Sequence, residues 1–292
     1  MRRVAIVMLA VAVGLGIAVA GVLLGPRLDP RWRSVTTRDA SIAQRLTRDA
    51  RAPLLFVPGS VTRDPAPAVT LVVVLPGLGG AGRDLAEQFV GVAEDERWLL
   101  LAPSPSYDPV DANESLLAAD LRVDNELVML VGEVMAGSSL HIAPLIDLVG
   151  FSRGAQSAHR FALRHPDRVA ALASFSAGTY TMPTSAQPYP LGMGGFDTWN
   201  HLRAFDAVSL RHVRVLVGVG TADVNPADVA RAWDSVGGTS RLERAARFAG
   251  ALEQMQVPAR LQTYAGVGHS FVPAMREDAI ELFRSSVPDH GS

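Results

Sequence analysis

The residues best equipped for chemistry are Gly150-Phe151-Ser152-Arg153-Gly154. They follow the apolar run 145–149, which reads as a buried strand, and lead into a helical stretch from Ala155 to His165. At a strand-to-helix turn the backbone is crowded, so the positions flanking the serine require small residues. The serine is then held at the tip of the strand with its hydroxyl exposed. The G-x-S-x-G pattern occurs once in the chain, with the right periodicity on both sides. Ser152 is therefore predicted to be a nucleophile, in preference to a residue of a plain tight turn.

A serine hydroxyl is a weak nucleophile at neutral pH. It needs a base to accept its proton, and the base needs an acid to orient it. In a parallel sheet such groups gather at the carboxyl ends of the strands. His269 is the preferred base among the seven histidines: Gly266-Val267-Gly268-His269 follows an apolar strand ending at Tyr264, and its glycines let the loop bend back. His159 reads as a packed helix residue and His165 as part of a helix end before Pro166. His141, His201, His212 and His290 lack that setting. Asp223 is the preferred acid, in Gly220-Thr221-Ala222-Asp223 after the strand Val213–Val219. The competing reading of Asp223 is an Asx-turn or a helix cap before Pro226. Asp228 reads as a first-turn carboxylate, and Asp197 and Asp206 are weaker rivals.

An oxygen that becomes negative during acyl transfer needs backbone N–H donors aimed at it. The residue after the nucleophile, Arg153, is one expected donor. Leu78 is the other, in Pro76-Gly77-Leu78-Gly79-Gly80 after the strand Val69–Leu75. A phosphate-binding reading of this glycine-rich run is weaker, because it lacks the G-K-[ST] ending. The Arg153 side chain has two readings, steering of an anionic substrate or pairing with a carboxylate, and the second is favoured.

Short apolar runs at 54–57, 69–75, 98–101, 145–149, 169–173 and 213–219 read as strands, 69–75 and 98–101 as buried ones, and 259–264 reads as a further strand. Helical spacing appears at 84–93, 115–134, 155–165, 226–233, 241–255 and 273–285. Strands alternating with helices predict an α/β fold with a mostly parallel sheet covered on both faces. Residues 176–205 form a Pro-, Gly- and Tyr-rich stretch with weak periodicity, expected to be a cap or substrate loop. Its Tyr180 and Trp199, with Tyr107, are candidate pocket residues; the competing reading of the aromatic and Met side chains of this stretch is core.

The 292 residues carry 27 Lys+Arg against 29 Asp+Glu, a net charge of −2, and 48% are hydrophobic. That balance offers no electrostatic footprint for nucleic acid. With no cysteine, disulfides and thiolate chemistry are excluded. Arg2 and Arg3 precede an uncharged run, residues 4–25, whose 22 residues match the thickness of a bilayer core of about 30 Å. A signal anchor, which gives a single-pass membrane protein with its catalytic domain outside the cytoplasm, is favoured. The alternative is a cleaved signal peptide and a secreted or periplasmic protein. Residues 26–53 are expected to be a linker, with a short surface helix at 41–51, and residues 288–292 a tail.

The motifs LVVVLPGLGG (71–80), GFSRG (150–154), GTADVNP (220–226) and GVGHSF (266–271) occur in the order Ser152, Asp223, His269. In these the chain resembles the α/β-hydrolases over about residues 54–287, most nearly the esterases and polyhydroxybutyrate-depolymerase-like enzymes. The resemblance implies an α/β-hydrolase fold and a serine hydrolase cleaving a carboxylic ester through a Ser-His-Asp triad, with neither metal nor organic cofactor. Many relatives carry His-Gly in the oxyanion loop where this chain has Pro76-Gly77. A peptidase or acyltransferase on the same fold, and a non-catalytic membrane-tethered binding protein, are the alternatives. Substrate, leader cleavage and oligomeric state are left open at this stage.

Overall fold

A computed structural model describes residues 29–35, 52–108, 115–197 and 204–286. The apolar run 4–25, most of the expected linker including the helix at 41–51, Trp199, His201 and the tail with His290 lie outside the described residues. Among the described residues no helix is long and apolar enough to cross a membrane.

Among the described residues eight strands form one sheet: β1 (Trp32–Ser34), β2 (Leu54–Phe56), β3 (Thr70–Leu75), β4 (Trp98–Ala102), β5 (Ile146–Phe151), β6 (Val169–Phe175), β7 (Arg214–Gly220) and β8 (Ala259–Tyr264). Their spatial order is β1-β2-β4-β3-β5-β6-β7-β8. From β4 to β8 all neighbours are parallel, whereas β1 and β2 run antiparallel at one edge. The order reverses at β3, so its neighbours β4 and β5 leave a crevice beyond their carboxyl ends, where ligands of open α/β sheets bind.

The apolar runs bury both faces of the sheet, as a parallel sheet requires. Leu71, Val73 and Leu75 point to one side with Leu99, Leu101 and Leu148. Helices α1 (Leu116–Gly137), α2 (Arg153–Arg164) and α3 (Arg241–Gln254) cover that side through Leu127, Phe161 and Phe248. Val72, Val74 and Leu100 point to the other side. There α4 (Pro273–Ser286) and the short helices Gly82–Ala86 and Val90–Glu96 supply Met275, Phe283, Leu85 and Ala93. Ser115 caps α1 by accepting from the Ala118 amide, and Ser240 caps α3 by accepting from the Glu243 amide.

Three elements differ from expectation. Within the expected linker, Trp32–Ser34 forms the edge strand. Trp32 packs on Phe56 at 5.4 Å and is buried, an apolar anchor inside an arginine-rich stretch. The helix expected at 84–93 is broken by a 3₁₀ turn, Glu87–Phe89, where Phe89 is buried in the core. The stretch expected as a helix at 226–233 is two 3₁₀ turns, Pro226–Asp228 and Arg231–Trp233, with extended backbone between them. The Asp228 carbonyl accepts from Arg241, and the Ala230 carbonyl from Arg244 as well as from the Trp233 amide, so side chains of α3 hold this stretch in place.

Among the described residues, Asp147 on β5 is a carboxyl buried in the sheet with no cation within 4.0 Å: it is 0% exposed and accepts from the Ser286 hydroxyl at 3.1 Å. Burial pushes it up to about 8. An acid whose native value is raised stabilises the fold only while protonated, so that contribution is lost as pH climbs from about 4 through 8. Asp147→Asn, which keeps the shape without the charge, is therefore expected to raise Tm at pH 8 by at least about 2–4 °C. At pH 5 the gain should be much smaller. Differential scanning calorimetry at the two pH values measures both; an equal shift at each removes the protonation account.

Candidate active site

The turn between β5 and α2 is built by backbone contact. A side chain at Gly154 would bring its Cβ to 2.2 Å from the Leu75 carbonyl oxygen and 2.4 Å from that of Pro76. At Gly150 it would meet the Gly154 carbonyl oxygen at 2.5 Å. Only glycine lets β5 and α2 close so tightly against the end of β3. Ser152 is held at φ 55° and ψ −117°, and its amide donates to the Phe175 carbonyl at 2.8 Å. Positive φ on a non-glycine residue costs on the order of 1–3 kcal/mol and persists only where the surroundings impose it.

The His269 Nε2 lies 2.9 Å from the Ser152 Oγ, and its Nδ1 lies 2.9 Å from Asp223 Oδ2. Serine, histidine and aspartate thus form one continuous relay. Phe151 stacks on the imidazole at 5.0 Å and fixes the ring plane, and Phe271 meets Phe151 edge-on at 5.9 Å. The loops bearing the acid and the base are locked together. The Ala222 amide donates to the Val267 carbonyl at 2.9 Å, the Gly266 amide to Thr221 Oγ1 at 2.9 Å, and the Thr221 amide to the Tyr264 carbonyl at 2.9 Å. Gly220 has no room for a side chain, since a Cβ would stand 2.0 Å from the Val267 carbonyl oxygen.

Asp223 is 4% exposed. It has a partner that sequence reading did not find: Arg241, the first residue of α3, donates to its Oδ1 at 3.1 Å and to the Asp228 carbonyl at 2.9 Å. Burial alone would push the Asp223 carboxyl up. The hydrogen bond with His269 and the Arg241 guanidinium outweigh it and hold the carboxyl below the usual range. Of the rivals, Asp206 caps the short helix Ala207–Leu210, and the Asp228 side chain is 50% exposed at 3.9 Å from Arg241. His159 is fully buried between the Ala155 carbonyl and the Thr181 amide. His165 ends α2 and meets Asp124 at 3.0 Å.

The loop after β3 packs against the serine. A Cβ on Gly77 would lie 3.3 Å from that of Ser152, and Gly79 at φ 76° closes a turn in which the Gly80 amide donates to the Gly77 carbonyl. Leu78, 63% exposed, and Arg153 line the same cavity of about 380 Å³ beside this turn. Arg153 opens α2, and first-turn amides have no acceptor within a helix. Tyr107 is buried and donates from its hydroxyl to the Pro76 carbonyl at 2.9 Å, so it braces the loop as well as lining the cavity. Burial pushes its phenol up, which keeps it a donor.

Two sequence expectations require correction. Tyr180 is core rather than pocket: it is fully buried and stacks on Phe248 at 4.4 Å, with Met182, Met193 and Phe196 also buried. Trp233, Gln156 and Thr179 line the cavity instead. The Arg153 side chain does not pair with a carboxylate. Among the described residues its partners are the Gln156 Oε1 at 2.7 Å, the Tyr107 carbonyl at 3.5 Å and the face of the Tyr107 ring at 5.8 Å. No group of three metal-ligating side chains occurs among the described residues.

The Arg241–Asp223 contact generates a test. Removing one member of a buried ion pair leaves an uncompensated charge, a loss of about 3 kcal/mol or more. Arg241→Met is expected to destabilise by that order. A carboxyl held low stabilises the fold above its unfolded value and loses that contribution as pH falls through its native one. The deficit of the variant should therefore be full above about pH 5 and shrink toward pH 3. Urea unfolding of both proteins across that range measures it; a deficit independent of pH would assign Arg241 to packing alone.

The chain matches no protein-family model and no curated protein. Solved structures do match it. The poly(aspartic acid) hydrolase-1 of Sphingomonas sp. KT-1 superposes with a TM-score of 0.59 at 18% identity, over 79% of this chain and 92% of that one. The poly(3-hydroxybutyrate) depolymerase LpqC of Bordetella parapertussis gives 0.57 at 20% identity, over 82% and 87%. Esterase PE8 gives 0.53 at 20%, over 80% and 97%. At these identities the likeness is one of architecture, and with the strand order and the connections around the β5–α2 turn it makes this chain an α/β-hydrolase fold.

Proposed function

We propose that the protein is a serine hydrolase acting on a carboxylic ester. One observation carries the reading: the relay from Asp223 through His269 to Ser152, with both links at 2.9 Å. His269 Nε2 accepts the hydroxyl proton as Ser152 Oγ attacks the ester carbonyl carbon. Asp223 fixes the tautomer and stabilises the imidazolium that forms. The Leu78 and Arg153 amides donate to the oxyanion. Collapse of the tetrahedral intermediate breaks the bond to the leaving alkoxide, which takes its proton from His269. Water, deprotonated by the same histidine, then cleaves the acyl-enzyme and restores Ser152. The names of the three matched structures, a hydrolase, a depolymerase and an esterase, agree with this reading. We carry the apolar run 4–25 forward as a membrane anchor that places this activity outside the cytoplasm.

Purified protein is expected to hydrolyse short p-nitrophenyl esters and to be labelled at Ser152 by a fluorophosphonate. Ser152→Ala should abolish labelling, and Asp223→Asn should lower kcat by about 10⁴-fold while the fold is retained. Unchanged turnover in Ser152→Ala would falsify the mechanism. Faster cleavage of matched amides, or preferential transfer to an added alcohol, would redirect it to a peptidase or an acyltransferase.

A further inference from the structure

The cavity beside the relay contains three guanidinium groups, those of Arg153, Arg160 and Arg241. Two are already matched. Arg160 donates to Asp120 at 3.1 Å and to the hydroxyls of Thr179 and Thr181. Arg241 is held by Asp223. Asp120 is shared among several donors: it also accepts from Arg164 at 2.7 Å and from the Tyr189 hydroxyl at 2.8 Å.

Arg153 differs. Among the described residues no carboxylate oxygen approaches it within 4.0 Å, and its partners are one amide oxygen, one long contact to a carbonyl and one aromatic face. A guanidinium carries five donors in a planar fork, so most of its donors remain for a ligand. The Asp108 and Asp228 carboxylates also line the cavity, but neither meets Arg153 within that distance. Burial, and then the neighbouring Arg160, lower the affinity of Arg153 for its own proton, against the opposing pull of the more distant Asp120 and Asp108. The Gln156 amide oxygen and the Tyr107 ring hold the fork in place, so little rotamer freedom remains to be lost on binding.

We propose that Arg153 is a specificity residue and that the substrate is an ester bearing a carboxylate, bound by the guanidinium while the neighbouring serine attacks the ester carbonyl. The same residue then serves twice: its amide faces the oxyanion, and its side chain reads the charge of the substrate. This rests on the serine-hydrolase reading given above.

Matched esters test it. Monoethyl adipate against ethyl hexanoate places the carboxylate on the acyl side, and 4-acetoxybutanoate against butyl acetate places it on the alcohol side. In at least one pair the wild type is expected to favour the anion in kcat/KM by about tenfold or more. Arg153→Gln should reduce that ratio to near one, mainly through KM. Arg153→Lys should recover part of it. The ratio, not the absolute rate, is the readout, so a general loss in the variant does not disturb it. Turnover of neutral esters with no preference for the anion in either pair, or a preference that survives Arg153→Gln, overturns the proposal and leaves the hydrolase reading standing. Absence of turnover for all four esters together with no fluorophosphonate labelling overturns both.

Discussion

The carbonyl oxygens of Leu75 and Pro76 set the constraint on which the rest of the molecule depends. They lie so close to Gly154 that no side chain fits there. This contact draws the end of β3 against the start of α2 and forces Ser152 into its strained conformation. It also brings the Gly77-Leu78 turn beside the serine, so Ser152 and that turn are located by one approach of backbone to backbone. A second approach, Gly220 against the Val267 carbonyl, does the same for Asp223 and His269. Glycine is needed in both places for lack of volume, not for flexibility, since neither Gly154 nor Gly220 has positive φ.

Arginine performs much of the joining that apolar packing performs elsewhere. Arg244, fully buried on α3, donates to the carbonyls of Gly178, Ala230 and Gly238 and to Asp234. It ties the irregular stretch after β6 to the one after β7. Arg160 and Arg164 gather around Asp120, and Arg164 also lies over the Tyr189 and Phe196 rings. A planar fork with several donors can satisfy scattered carbonyls that have no ladder of their own. The walls of the cavity are therefore held by charge-assisted hydrogen bonds.

These physical differences decide what could be read in advance. The strands were legible because buried parallel strands are continuous apolar runs; 69–75 and 213–219 differ from β3 and β7 by one residue at most at either end. Ser152, Asp223 and His269 were legible because each follows such a run in a glycine-rich loop, and the structure brings all three together. The Arg241–Asp223 pair was not legible: an arginine at the start of a helix has the same local pattern whether it faces solvent or a carboxylate 18 residues earlier. The irregularity of 176–205 was legible from its Pro and Gly content, but that of 226–233 was not, because side chains of α3 hold it and neither period nor turn residues mark them. Tyr180 illustrates the limit, since its composition alone is equally compatible with a pocket and with its place against Phe248.

The relay joins residues far apart in sequence. Ser152 and His269 are separated by 117 positions, and β8, the strand before the histidine loop, is the last of the sheet's strands in sequence and lies at its edge. Contacts of such separation form late, because closing the intervening chain costs entropy before any contact is gained. The contacts that hold Ser152 come from β3, β6 and α2, whereas His269 is carried by the loop after β8. Ser152 and His269 therefore meet only where β8 is paired with β7, so the spacing of the two side chains depends on the sheet being complete to that edge.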